Sequence, residues 1–222
     1  MNDLANAFLL VFAGLFPVVN PIGAAPLFLR LTAGCTERER GRLAFCVAFN
    51  GFWLLLGTML FGSFILEFFG ITAPVVRIAG GLLVAAMGWQ LLNDDSGSKH
   101  GGVTEAGDVK TIRDGFYPLT LPLTVGPGSI SVALTMGSHR PHEFTANAML
   151  LAGSALVGLL AVALAIYCLY RLAAPMVRHL GPSGVNVLMR LAAFIRICIG
   201  IQIAWSGARV LMSELQRAPG LF

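Results

Sequence analysis

The chain has 222 residues, of which 56% are hydrophobic and only 12% charged, and its mean hydropathy is +0.78. A soluble domain carries roughly 25% charged residues, so this composition points away from a soluble globular protein and toward an integral membrane one. The net charge of +4 could suggest a nucleic-acid partner, but the basic residues sit in the connections between apolar runs, where they set topology instead.

In chain order, charge-poor runs cover 8–29, 43–66, 78–92, 116–137, 146–170 and 191–208. Most reach the roughly 17–25 residues that a helix needs to cross hydrocarbon, and they read as six spans. The third is short unless it begins near Thr72 and takes in Arg77, and the sixth contains Arg196. Barrel strands would alternate in segments of about ten residues, whereas these runs are continuous and rich in Leu, Ala and Gly. The fold class expected is therefore an all-α membrane bundle. The chain opens Met1-Asn2-Asp3, without Lys or Arg before Arg30, unlike a removable signal peptide, so the first span is expected to remain.

Span one contains FPVVNPIG (16–23), with a break at Asn20-Pro21 about 18 Å along at ~1.5 Å per residue. Proline suits the first turn of a helix and asparagine the position before it, so a second half-helix restarts there, near the midplane. Arg30, Arg38, Arg40 and Arg42 follow this span; Lys99, Lys110 and Arg113 lie between spans three and four; Arg171, Arg178 and Arg190 flank the fifth connection. By the positive-inside rule these face the cytoplasm and both termini face outside.

The polar stretch 93–115, rich in Gly, Asp and Lys, reads as a cytoplasmic linker between a first group of three spans (1–92) and a second (116–222). In the second group LPLTVGPG (121–128) breaks span four at Gly126-Pro127, about 15 Å along. Each group ends alike: VVRIAGGLLVAAMGWQLL and LMRLAAFIRICIGIQIAW can be matched at Arg77 and Arg190, with Gly88-Trp89-Gln90 against Gly200-Ile201-Gln202. Three spans per group is an odd number, so related groups would be inserted upside down relative to each other, as in many secondary transporters.

Helices one and four, broken near the midplane, would then aim free N–H groups and positive dipole ends at one site from opposite sides, suiting an anionic group. The candidate substrate-binding residues are Asn20, Pro21, Gly23, Thr124, Gly126, Pro127, Gly128 and Ser129. Further hydroxyls come from Thr120, Ser131 and Thr135, while Gly23, Ala24, Ala25 and Gly128 leave space for a small solute. No Asp or Glu lies near either break, so a zwitterion fits and a cationic amino acid fits poorly. Glu67 is the one carboxylate within the spans, which puts sodium on freed carbonyls, or plain exchange, ahead of proton antiport as the coupling. Arg196 lies ~9 Å deeper than Arg190; it either snorkels to the cytoplasmic interface or turns inward onto the substrate route.

Neither a cofactor nor a metal is expected. Cys35, Cys46, Cys168 and Cys198 lack metal-ligand spacing, and His142-Glu143 begins a zinc pattern that Thr145 and Ala146 end. Gly128-Ser129 lacks the flanking glycine of a nucleophile elbow, so no enzyme is expected. The alternative to a transporter is a structural or regulatory membrane subunit that transports nothing.

NPIGAAPLFLRLT (20–32), PLTLPLTVGPGSI (118–130), RIAGGLLVAAMGWQLL (77–92) and NVLMRL (186–191) together resemble the MarC family of bacterial inner-membrane proteins, also called the small neutral amino acid transporter family. The resemblance implies six spans in two inverted triplets and movement of small neutral amino acids such as glycine or alanine. Asn20, Pro21, Gly23, Gly126, Pro127 and Gly128 occupy its motif positions. Arg196 departs from the pattern by standing where an apolar residue is expected.

Overall fold

The structure, a computed structural model, describes residues 2–93, 115–138 and 146–217. Its helices are α1 (Asn2–Val19), α2 (Pro21–Leu31), α3 (Glu37–Phe69), α4 (Ala73–Asn93), α5 (Pro127–Ser138), α6 (Ala146–Arg171) and α7 (Ala173–Arg217), with an irregular π-type leg at Phe116–Thr124 before α5. Every regular element among the described residues is helical. Most of the expected linker, with Lys99, Lys110 and Arg113, lies outside the described residues, as do Arg140 and His142-Glu143.

Four helices are long and apolar enough to cross a membrane: Glu37–Phe69, Ala73–Asn93, Ala152–Arg171 and Ser183–Glu214. Two bent pairs pass the same test together, Ala5–Val19 with Pro21–Leu31 at 41° and Phe116–Thr124 with Pro127–Gly137 at 69°. Six crossings follow if each bent pair is one span. The expected fractures at Asn20-Pro21 and Gly126-Pro127 are thus both present.

Helix ends fall where caps dictate rather than where charge begins. α3 starts at a capping box in which the Glu39 amide donates to Thr36 Oγ1 (3.4 Å) and the Thr36 amide to Glu39 Oε2 (2.8 Å). It stops at Gly70, whose φ of 64° is the left-handed value that glycine adopts without strain. Span two is accordingly longer than the apolar run 43–66. α4 begins at Ala73 and takes in Arg77, and α7 begins at Ala173, interrupted at Gly181 with φ 65°. Arg40 closes the turn between α2 and α3 by donating to the carbonyls of Thr32 (3.1 Å) and Cys35 (3.3 Å).

Phe45, Phe49, Trp53, Phe61, Phe64 and Phe68 stand exposed along α3, the face a helix turns to lipid. Leu15, Val19, Phe28, Leu55, Val125, Val162 and Ile166 form the buried centre. α4 and α7 cross antiparallel at a backbone-to-backbone contact that small residues permit. A Cβ on Gly81 would lie 2.5 Å from the Gly200 carbonyl oxygen and 2.9 Å from Ala204 Cα; one on Gly200 would lie 2.5 Å from the Gly81 oxygen and 2.9 Å from Ala85 Cα. Farther out, a Cβ on Gly88 would meet Ala193 O (2.8 Å) and Ile197 Cγ1 (2.9 Å), and one on Gly207 would meet Pro74 O (2.7 Å) and Ile78 Cγ1 (3.0 Å). The crossing is therefore unchanged when its helices are exchanged, in a single register: Pro74 with Ala193, Ile78 with Ile197, Gly81 with Gly200, Ala85 with Ala204, Gly88 with Gly207.

That register pairs Arg77 with Arg196, not with Arg190. The sequences then share R-I-x-x-G-x-x-x-A-x-x-G, as Arg77, Ile78, Gly81, Ala85, Gly88 and as Arg196, Ile197, Gly200, Ala204, Gly207. The match through Arg190 and Gly-x-Gln ignores the positions where a side chain would hit the partner backbone, and those positions fix the register.

Candidate functional site

The break in span one is built by Asn20, the sole non-glycine residue with positive φ among the described residues (φ 46°, ψ 61°). Asparagine tolerates this left-handed conformation better than most residues, and Pro21 begins α2 with no N–H to lose. The Asn20 Oδ1 accepts from the Gly23 amide (3.1 Å), its Nδ2 donates to the Ala192 carbonyl (3.4 Å), and its own carbonyl accepts from the Ala24 amide (3.1 Å). α2 thus arrives with its first amides largely satisfied. Gly23 is buried, and a Cβ there would sit 2.6 Å from Ala192 Cβ. The expectation that both half-helices offer open N-termini is corrected here, because the asparagine that favours the restart also caps it.

The break in span four differs. Residue 126 is glycine and has no side chain with which to cap, and the Ser129 hydroxyl donates back to the Gly126 carbonyl (2.9 Å). The Gly128 and Ser129 amides, among the first N–H groups of α5, are left without a helical acceptor. Gly126 itself has no positive φ, so its use is space. A Cβ there would find Met87 Cε and Pro122 O each at 3.4 Å, ordinary contact. A Cβ on Gly128 would collide with Val84 Cγ2, so α5 packs closely on α4 at that point.

Thr124 donates to the Leu119 carbonyl (2.7 Å) and shares a 2.7 Å hydrogen bond with the Tyr170 hydroxyl, which is fully buried and stacked on Phe28 with ring centroids 4.4 Å apart. Thr120 donates to Gly115 O (2.6 Å), Ser131 to Val76 O (2.7 Å) and Thr135 to Ser131 O (2.9 Å). These hydroxyl protons are already given to backbone carbonyls, leaving oxygen lone pairs that can accept from a donor such as an ammonium.

Arg196 turns inward. Its Nη2 donates to the Val19 carbonyl (3.1 Å), an oxygen at the end of α1 that has lost its helical partner, where the helix dipole also favours a cation. Its Nε is buried with no hydrogen-bond partner. Arg196 lines two cavities. The smaller, about 20 Å³, is walled by Val84, Thr124, Gly126, Gly128 and Ser129; the larger, about 130 Å³, is walled by Gly23, Ala24, Met87, Gln90 and Pro122. Gly23, Thr124, Gly126, Gly128, Ser129 and Arg196 thus surround one region. Asn20 stands behind it, Pro21 is buried and Pro127 exposed without lining either cavity.

Sequence reasoning missed Tyr170, Met87, Pro122 and Val84. A tyrosine ending an apolar run reads as an interfacial anchor, and only its contact with Thr124 reveals the inward role. Met87 and Val84 carry no signal beyond apolarity, and Pro122 shows in the sequence only as part of the break motif 121–128.

The pattern of the MarC family, described as "MarC family integral membrane protein", matches residues 5–212. The chain is 30% identical over 214 residues to the inner membrane protein MarC of Salmonella typhimurium, covering 93% of this chain and 96% of that one. It is 30% identical over 213 residues to the protein of that name from Escherichia coli O1:K1, with the same coverage. No solved structure matches. With one family pattern and such relatives each spanning nearly its whole length, the chain belongs to the MarC family of integral membrane proteins.

Proposed function

We propose that this protein is a secondary transporter of small neutral amino acids, of the glycine and alanine class, working by alternating access in the bacterial inner membrane. In this reading residues 1–92 and 116–222 are two inverted three-span repeats joined by a cytoplasmic linker, with both termini outside. The observation that carries it is the partnerless, buried Arg196 Nε in the wall of two cavities, the smaller of which also holds the uncapped start of α5. A buried charged donor left without an acceptor is costly, and a substrate carboxylate supplies the acceptor. The carboxylate takes Arg196 Nε and the Gly128 and Ser129 amides; the ammonium takes hydroxyl lone pairs and carbonyls.

Size and charge support the same class. A cavity of about 130 Å³ lies well below the ~300–1,000 Å³ of drug-sized sites. No Asp or Glu lines either cavity, so a second positive charge on the ligand finds no partner. Support for inverted repeats comes from the exchange-symmetric crossing of α4 with α7 and from the break motifs Val19-Asn20-Pro21 and Val125-Gly126-Pro127.

Purified protein in vesicles, tested for uptake or counterflow of labelled glycine and alanine, checks the proposal. Saturable transport that excess lysine or arginine does not inhibit is the expected result. Consistent failure across small neutral amino acids would favour a structural or regulatory subunit. Equal competition by lysine would remove the proposed binding geometry. Varying sodium and pH gradients separately assigns the coupling; sodium dependence or plain exchange is expected, and a rate driven by pH alone would reverse that order.

A further inference from the structure

Arg196 holds the break of span one, and the α4/α7 crossing gives it a counterpart. Exchange of the two helices carries Arg196 onto Arg77. The same exchange of repeats carries Asn20-Pro21 onto Gly126-Pro127 and Val19 onto Val125. If the whole molecule obeyed it, Arg77 would stand to Val125 O as Arg196 stands to Val19 O.

The structure departs from that symmetry in one direction. On one side Gly23 packs on Ala192, one turn from Arg196, so closely that a Cβ on Gly23 would lie 2.6 Å from Ala192 Cβ. The counterparts of Gly23 and Ala192 are Ser129 and Ala73. Yet α5 does not lie at Ala73: Gly128 abuts Val84, Gly126 abuts Met87, and Ser131 abuts Gly80. Gly128, the neighbour of Ser129, meets Val84, and Ala73 to Val84 is three helical turns, roughly 16 Å. The α4/α7 pair is therefore internally symmetric but sits off-centre between the two broken spans, with span one at an arginine and span four well past one.

We propose that Arg77 is the second member of an alternating pair, and that in an opposed conformation its guanidinium takes the Val125 carbonyl while Arg196 releases that of Val19. This rests on the inverted-repeat transporter reading and adds to it a named residue and a direction of movement. α4 and α7 shift as one unit past the breaks, because their backbones are too close to slide on each other. In the state described here Arg196 binds the Val19 carbonyl and presents its Nε to the ligand; in the opposed state Arg77 binds the Val125 carbonyl and takes over that role. An inverted pair of sites needs such a partner, since states related by exchange present the same chemistry to opposite sides of the membrane.

Disulfide trapping in membranes tests this on the full-length protein with its four native cysteines replaced by alanine. Val84→Cys with Gly128→Cys reports the state described here: the Cβ–Cβ distance from a Gly128 Cβ to Val84 Cβ is 3.3 Å, near the ~3.5–4.5 Å of natural disulfides. Ile22→Cys with Ile203→Cys reports the opposed state, because exchange carries Gly128 onto Ile22 and Val84 onto Ile203. Here Ile203 lies three turns along α7 from Ala192, ~16 Å at ~1.5 Å per residue. Both pairs should cross-link in the wild-type arginine background. Arg196→Leu should raise the Ile22/Ile203 yield several-fold and lower the Val84/Gly128 yield; Arg77→Leu should do the reverse. Cross-linking of Val84/Gly128 alone in every background, which also proves the protein folded, would overturn the proposal. So would both leucine variants moving both yields in one direction. Since trapping needs no substrate, exchange without amino acid uptake would count against the substrate reading alone, and uptake without exchange against the arginine pair alone.

Discussion

Arg196 places a positive charge beside a carbonyl that lost its helical donor, and it keeps one buried N–H with nothing to bind. Hydrogen bonds to charged groups contribute about 1.5–3 kcal/mol, roughly 10–100-fold in affinity. Arg196→Leu should therefore raise the KM for alanine by about that factor or abolish uptake, with Arg196→Lys retaining part; unchanged kinetics in the leucine variant would place the side chain off the substrate route. Asn20 has a different duty, holding a left-handed turn and a cap together. Asn20→Ala should lower stability by about 1–2 kcal/mol through loss of the cap and strain at positive φ, read as a lower Tm in detergent. Asn20→Gly should cost only a few tenths of a kcal/mol.

Among the elements, α5 is sensitive to bulk at Gly128, whereas Gly126, just before the helix, tolerates a methyl group. Gly128→Leu should lower Tm because of Val84, which Val84→Ala should partly restore, whereas Gly126→Ala should fold normally and reduce uptake by filling the cavity. The Thr124–Tyr170 bond joins the irregular leg of span four to α6. Thr124→Val and Tyr170→Phe should each cost about 1 kcal/mol, and the double variant less than their sum, because both remove one interaction. Much of this level is legible in sequence. Proline in an apolar run has few uses, so both breaks announce themselves, and hydropathy locates the crossings because lipid offers no substitute for helical hydrogen bonds. What does not show is which N-terminus stays open, since asparagine before proline signals a restart and its cap together. The inward turn of Arg196 is equally hidden, because a single charge in an apolar run fits two orientations until the neighbouring carbonyl is placed. Likewise the register of α4 on α7 depends on backbone approach, so a match by residue identity alone lands on Arg190.

For the whole molecule, the crossing of α4 and α7 makes a quantitative demand. Gly81 and Gly200 meet equivalent atoms at equal distances, so Gly81→Ala and Gly200→Ala should destabilise by equal amounts within about 0.5 kcal/mol, and the double variant should depart from additivity. Unequal losses in a denaturation series would show that the two helices depend on their surroundings more than on each other.

The same crossing has an energetic consequence. Two arrangements of a molecule that differ only by exchange of equivalent halves make the same contacts and so are degenerate; any preference between them arises where the halves differ in sequence. Asn20 against Gly126 is the clearest such difference, since one break carries a side chain that bonds Gly23 and Ala192 and the other carries none. On the proposed exchange, the resting population is set by the positions at which the halves differ, the two breaks among them. Asn20→Gly, nearly silent in a melting curve, becomes a substitution that shifts the balance of conformers and leaves the fold alone.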